Sequence, residues 1–417
     1  MSDRPRRPAL DGIKAIRSAD VWKGSRLAAT LTRTDAGVAF AYTADYLAQP
    51  GPPVATTLPL TDGPTLTPAG AVPAYFAGLL PEGRRLSSLR RAVKTSADDD
   101  LTLLLAVGAD PVGDVRIFPS GQPPHEVRPL VEVQRDWAEV SFREVMADAG
   151  VRDPIALAGV QDKASAGMIS LPVHQAGRSL ILKVDPPEHR HVVLNEDYFL
   201  SLARRAGFPV VNAGVVFDRE ERPGLLVERF DRVWDERTGS VRALPVEDAS
   251  QILGLYPADK YQVSSERVAE AVADLCAARP LALREVFRQV TFAWLTGNGD
   301  LHAKNLSVLG SPTGEWRVAP AYDIPSTAPY GDRTLALSVG GRHDGLSRRS
   351  LLAFAAAIGL PDRAATQTLD GVLRAAAPVF DEWAAAGTSP FGPQQARQTL
   401  RVLRHRRRTA VGHTGGE

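Results

Sequence analysis

The spacing of apolar residues divides the chain into a strand-rich part and a helix-rich part. Apolar and β-branched residues crowd positions 19–22, 27–32 and 38–43, and Asp35-Ala36-Gly37 supplies a turn between the last two. That arrangement predicts a hairpin with a neighbouring strand. Residues 50–70 are rich in Pro, Gly and Thr and read as loop. A short apolar helix at 74–80, a basic helix at 84–94, an apolar segment at 101–107, a loop at 108–113 and a strand at 114–118 follow. Residues 119–129 hold four prolines and no periodicity, which marks them as a linker. From about Trp137 strand-like runs at 168–173, 180–184, 211–217 and 224–230 surround one helix at 196–206. Beyond about Ser264 the helical period takes over, at 266–278, 283–295, 350–357, 362–377 and 394–408. A β-rich half followed by an α-rich half predicts an α+β molecule of two lobes with a cleft between them.

Length agrees with this division. At roughly 150 residues per domain, 417 residues make about three units. The expected units are an N-terminal subdomain over 1–120, a β-rich lobe over 135–260 and an all-helical lobe over 261–417. Charge narrows the function classes: 49 Lys and Arg against 48 Asp and Glu leave a formal net charge of +1, so no global field draws the chain to nucleic acid. The one basic stretch is Arg397–Arg408, read first as a solvated helix end and second as a patch for an acidic partner. A single cysteine, Cys276, excludes a disulfide framework and a cysteine zinc site within the chain and points to a reducing, cytoplasmic setting. Neither a secretory signal nor a membrane span is expected.

The densest polar cluster is Gly299-Asp300-Leu301-His302-Ala303-Lys304-Asn305. Asp300 and Asn305 stand in the D-x-x-x-x-N relation of phosphotransfer loops, in which the Asp accepts the hydroxyl proton and the Asn holds a metal. Strand-like residues 306–309, a turn at 311–314 and strand-like residues 316–319 lead to Ala321-Tyr322-Asp323. A hairpin there returns Asp323 to the level of Asn305 and pairs two hard oxygen donors suited to Mg²⁺. The bland alternative is a polar loop closed by Asp and Asn turn bonds. A metallohydrolase built on Asp300, His302 and Asp323 is another, short of histidines at ligand spacing. In the β-rich lobe, 178–184 is an alternating strand carrying Lys183, a candidate cation for phosphate, or else a surface charge at a strand end. Glu196 opens the helix of that lobe and is placed to pair with Lys183. Glu228, Arg229 and Phe230 end a strand suited to a hinge, with Phe230 available to pack on an adenine ring. Ala158, Gly159, Val160, Gln161, Asp162 and Lys163 form a small-residue segment that can bring backbone N–H groups to phosphates, or an ordinary hairpin turn.

Taken in order, 158–163, Leu182-Lys183, Asn195-Glu196, 227–232, 300–305 and Tyr322-Asp323 resemble the HipA serine/threonine kinases, toxins of bacterial HipBA-type toxin–antitoxin systems. Leu79-Leu80-Pro81-Glu82-Gly83 and the 107–113 segment resemble that family's N-terminal subdomain. The resemblance implies a two-lobed protein-kinase-like fold, ATP and Mg²⁺ as cofactors, a protein substrate such as an aminoacyl-tRNA synthetase, and a small helix-turn-helix antitoxin similar to HipB through which DNA is reached. It implies Asp300 as catalytic base and Asn305 and Asp323 as metal ligands. It implies Lys183, residues 158–163, Glu228, Arg229, Phe230, His302, Ala303, Lys304 and Tyr322 as lining the nucleotide. One departure stands out: where family members often carry an autophosphorylated serine, this chain has Ala156, which has no hydroxyl, leaving Ser165 or Ser170 as substitutes. Two other functions stay open, a kinase of a small molecule or lipid and a catalytically silent partner of a DNA-binding protein.

Overall fold

A computed structural model describes residues 12–96, 98–125, 136–148, 169–175, 178–236, 239–385 and 389–412. The N-terminal subdomain is an antiparallel five-stranded sheet in the order Thr65–Pro68, Gly37–Tyr42, Arg26–Thr34, Ser18–Lys23, Val115–Pro119. Its buried face, with Val21, Leu31 and Phe40, packs on Tyr75 and Phe76 of the helix Ala74–Gly78 and on Leu101 and Leu104 of the helix Asp100–Val107. The edge strand Thr65–Pro68 lies inside the stretch read as loop. A Pro-ended strand at a sheet edge carries little sequence signal, because its pattern is neither alternating nor apolar.

The next unit is the four-stranded antiparallel sheet Ile169–Gln175, Arg178–Val184, Pro223–Glu228, Ala213–Phe217. Alternation along Arg178–Val184 decides its two faces. Leu180, Leu182 and Val184 pack on Trp137, Phe142 and Val145, so Lys183 is turned to the other side with Ile181. The helix Phe142–Asp148 covers the first face, so the helix Val192–Arg205 is not alone in this unit. Gly224 allows the close approach: a Cβ there would lie 2.7 Å from the Phe142 ring. The helix Val192–Arg205 packs Phe199 and Leu200 against Leu225, Val227 and the helical lobe, which makes one continuous core across both units.

Between the two lobes an antiparallel hairpin, Arg232–Asp235 with Ser240–Ala243, projects Trp234 at 64% exposure. The chain then enters the helical lobe, whose centre is the buried helix Arg279–Thr296 flanked by Ser265–Leu275 and Asp362–Ala376. Helices Arg348–Ala357 and Pro393–Val411 complete it. The lobe is helical apart from one small antiparallel sheet, Val246–Asp248, Ser307–Gly310 and Trp316–Val318, whose second and third strands are the hairpin expected after Asn305. Among the described residues no helix is long and apolar enough to cross a membrane.

Candidate active site

The loop that carries Asp300 begins where the helix Arg279–Thr296 stops. Gly297 takes a left-handed conformation (φ 75°), which glycine adopts without a Cβ penalty, and Asn298 N–H returns to the Ala293 carbonyl at 2.9 Å. Gly299 has no room for a side chain, since a Cβ would meet the Thr334 carbonyl at 2.5 Å. The loop then holds itself. Asn298 Oδ1 accepts from Asp300 N–H at 2.8 Å, and the Asp300 carbonyl accepts from His302 N–H at 2.8 Å and from Asn305 Nδ2 at 2.9 Å. Asp300 and Asn305, five residues apart, are thereby tied in one turn, and Asn305 is left with its amide oxygen as an acceptor. Asp300 Oδ1 accepts from the Tyr261 hydroxyl at 3.1 Å.

The hairpin Ser307–Gly310 and Trp316–Val318 delivers Asp323, which sits at φ 55°. That conformation costs a non-glycine residue about 1–2 kcal/mol, though Asp and Asn visit it more readily than most. Lys183 and its partners hold it. Lys183 Nζ lies 3.0 Å from Asp323 Oδ1 and donates to both Glu196 oxygens at 2.8 and 2.9 Å. Glu196 is fully buried and Lys183 nearly so. Burial works against the Lys183 charge, but Asp323 and Glu196 outweigh it and the ammonium is held protonated well above its usual range. Burial also pushes the Glu196 carboxyl up, against the attraction of Lys183. Asn195, beside Glu196, clasps the segment after Asp323 by donating to the Ser326 carbonyl at 2.7 Å and accepting from Ser326 N–H at 3.2 Å.

The predicted residues divide into those brought together and those engaged elsewhere. Lys183, Glu196 and Asp323 form one cluster, and Asp300, His302, Ala303 and Asn305 share one loop. Tyr322 donates to the Lys304 carbonyl at 2.8 Å and bonds Ser307 Oγ at 2.5 Å, and its ring stacks on Phe230 at 5.7 Å, which links the hinge to this loop. The Glu228 side chain accepts from Asn212 on the exposed surface. The Arg229 guanidinium bonds Asp110, Asp231 and the Pro111 carbonyl, so it anchors the hinge to the N-terminal subdomain. Lys304 Nζ donates to the Gly78 carbonyl at 3.0 Å. Ala158, Gly159, Val160, Gln161, Asp162 and Lys163, with Ala156 and Ser165, lie outside the described residues. Ser170 lies opposite Lys183 in the ladder of the four-stranded sheet. Among the described residues no three His, Cys, Asp or Glu side chains form a metal-ligand cluster, so Asp300, His302 and Asp323 do not converge as a metallohydrolase site would require. A groove of about 1070 Å³, lined by Asp110, Asp114, Trp234, Glu247 and Trp316, contains none of the predicted site residues except in sharing the Asp110 loop with Arg229.

Tyr261, Lys260, Glu82 and Asn195 have contacts in or beside this site that no spacing announced. Asn195 and Glu82 fall within segments that carry the family resemblance but had no chemistry of their own, and Lys260 and Tyr261 follow a Pro257 turn without any pattern.

Comparison with known proteins decides the family. Residues 155–380 match the HipA-like C-terminal domain and residues 19–118 match the HipA N-terminal domain. The chain belongs to the HipA family. It is 28% identical over 362 residues to the serine/threonine-protein kinase toxin HipA of Shewanella oneidensis, covering 80% of this chain and 81% of that one. It is 30% identical over 356 residues to the Sinorhizobium fredii protein Y4mE, covering 78% and 82%. The fold matches HipA in the Shewanella oneidensis complex of HipA, HipB and operator DNA with a TM-score of 0.75, at 24% identity and over 94% of this chain and 97% of that one. The α+β, kinase-like architecture expected from the sequence is therefore the observed one.

Proposed function

We propose that this HipA-family chain is an ATP- and Mg²⁺-dependent protein kinase acting on serine or threonine hydroxyls. The observation that carries the reading is the buried Lys183–Glu196–Asp323 cluster, with an Asp-x-x-x-x-Asn loop preceding Asp323 in the chain. A lysine fixed by a helix glutamate and placed at an aspartate is the arrangement that orients phosphates in protein kinases. The donor set fits the metal. Asn305 and Asp323 offer an amide and a carboxylate oxygen, and Mg²⁺ is usually held by one or two such groups together with phosphates, not by a full protein cage. Bound there, the metal would supply positive charge against the phosphate oxygens. Lys183 would hold the nucleotide phosphates, and Glu196 would keep the lysine aimed. Asp300 would orient the acceptor hydroxyl and take its proton as the oxygen–phosphorus bond forms and the bond to the leaving diphosphate breaks. Phe230 and the backbone at 228–230 would meet the base.

The family supports two further parts of the proposal. The acceptor is a protein, an aminoacyl-tRNA synthetase being one candidate, and the partner is a small helix-turn-helix protein that brings the complex to DNA, as HipB and operator DNA accompany HipA in the Shewanella oneidensis complex. The test is transfer of the γ-phosphate of labelled ATP into separate protein and metabolite pools, with Mg²⁺ or with EDTA. The expected result is Mg²⁺-dependent label on serine or threonine of protein. Label confined to metabolites would overturn the protein-kinase reading, and equal transfer in EDTA would overturn the metal assignment.

A further inference from the structure

One carboxylate of the N-terminal subdomain reaches the loop of Asp300. Glu82 stands at the N-cap of the helix Gly83–Val93 and makes no capping bond with it. Its side chain instead meets two lysines of the helical lobe. Lys260 Nζ donates to Oε2, and Lys304 Nζ lies 2.7 Å from Oε1 as an ion pair without an aligned hydrogen bond. Burial raises the Glu82 carboxyl, but Lys304 and Lys260 more than offset this and hold it at about 2, so the carboxylate is charged at any working pH.

Both lysines are tied to the loop by further contacts. The Lys260 carbonyl accepts from Ala303 N–H at 3.2 Å. Tyr261, the next residue, donates its hydroxyl to Asp300 Oδ1 at 3.1 Å, and its ring meets the His302 ring edge-on at 5.2 Å and 78°. Lys304 lies within the loop itself, one residue before Asn305. Lys260 and Tyr261 therefore bracket the loop from one side through a backbone bond, a ring contact and a carboxylate bond, and Glu82 joins that bracket to Lys304.

We propose that Glu82 is a positioning residue for phosphoryl transfer: by fixing Lys260 and Lys304 it holds Tyr261 against Asp300 and sets the orientation of the Asp300 carboxylate. The inference rests on the reading of Asp300 as the group that receives the hydroxyl proton. It makes the N-terminal subdomain a supplier of active-site geometry and not only a covering module.

The test uses the full chain with labelled ATP and compares wild type, Glu82→Gln, Glu82→Asp, Tyr261→Phe and the Glu82→Gln/Tyr261→Phe double variant. A misplaced catalytic group can cost on the order of 10²-fold, so Glu82→Gln is expected to lower kcat by about 10-fold or more. KM for ATP and the thermal midpoint should stay close to wild type, and Glu82→Asp should recover part of the loss. Tyr261→Phe removes the donor that orients the Asp300 carboxylate, so it too is expected to lower kcat by several-fold or more with KM for ATP close to wild type. The double variant should be little worse than the poorer single variant, because both act through one bracket. Wild-type kcat in Glu82→Gln, effects that multiply in the double variant, or a loss seen only as weaker ATP binding or a lower midpoint would each overturn the proposal. Should Glu82→Gln not fold, wild-type kcat in Tyr261→Phe overturns it instead. Failure of the underlying reading looks different: Asp300→Asn would then transfer phosphate at the wild-type rate.

Discussion

The protein contains two ion clusters that are inverses of each other. At the four-stranded sheet one ammonium, Lys183, lies between two carboxylates, Glu196 and Asp323. At the N-terminal subdomain one carboxylate, Glu82, lies between two ammoniums, Lys260 and Lys304. They differ in burial as well as sign. The Glu196 side chain is 0% exposed, whereas that of Glu82 is 36% exposed. Breaking a buried pair leaves an uncompensated charge away from water, while a partly wet pair can replace its partner with solvent. The first cluster therefore bears on folding and on the phosphate side of the reaction. The second is expected to cost less in stability, because Glu82 itself is partly exposed although Lys260 is buried, and its importance lies in the acceptor loop it steadies.

Four measurements bear on this contrast. The largest effect should come from Lys183→Met, which removes the one cation of the buried cluster. Loss of a single charge-stabilising group typically costs about 10²–10³-fold in rate, and a fall of that order in kcat/KM is expected together with weaker ATP binding. Less than a twofold change would separate the cluster from phosphate chemistry. Next, chemical denaturation should show Glu196→Ala losing roughly 3 kcal/mol of stability, as removal of one member of a buried pair does. Glu82→Ala should lose about 1 kcal/mol or less, in the range of partly exposed pairs. Equal losses would remove the distinction between the clusters.

The third outcome is a pH dependence. The Glu82 carboxyl is lowered in the folded chain from 4.5 to about 2, so the unfolded chain binds more protons between those values. Its contribution is fully present above about 4.5 and fades as pH falls towards 2. The stability gap between wild type and Glu82→Gln should shrink across that window, and a gap that widens on acidification would contradict the assignment. The smallest effect is expected outside both clusters. Trp234 on the exposed hairpin should be replaceable by Ala within about 0.5 kcal/mol, as for surface positions generally. A larger loss would mean that the hairpin packs on the lobes.

The two clusters also differ in how far the sequence announced them. Lys183 stands in an alternating strand, Glu196 near the start of a helix and Asp323 at the end of a hairpin, so each had a local pattern and the three fell in a known order. The Glu82 cluster has no such pattern. Its first lysine is 178 residues away, and the contact depends on how the N-terminal subdomain docks on the helical lobe, which no periodicity encodes. The same reason explains Arg229. Hinge position was legible from its strand, but the Asp110 loop that takes up its guanidinium is 119 residues distant. In the fold, most strands and helices with clear alternation or helical period were found near their expected bounds. The edge strand Thr65–Pro68, the hairpin Arg232–Asp235 with Ser240–Ala243 and the helix Phe142–Asp148 were not anticipated, since short elements supported by neighbours leave a weak local signal.

Asp300→Asn in the full chain, with ATP binding and phosphate transfer measured on the same preparation, is the decisive variant. The substitution keeps the shape of the side chain and its place beside Tyr261 but removes the carboxylate. Loss of a general base typically costs about 10²–10⁴-fold, so transfer of label from ATP should fall by at least about 10²-fold while ATP binding stays within about twofold of wild type. Transfer at the wild-type rate would mean that this loop does not perform the chemistry.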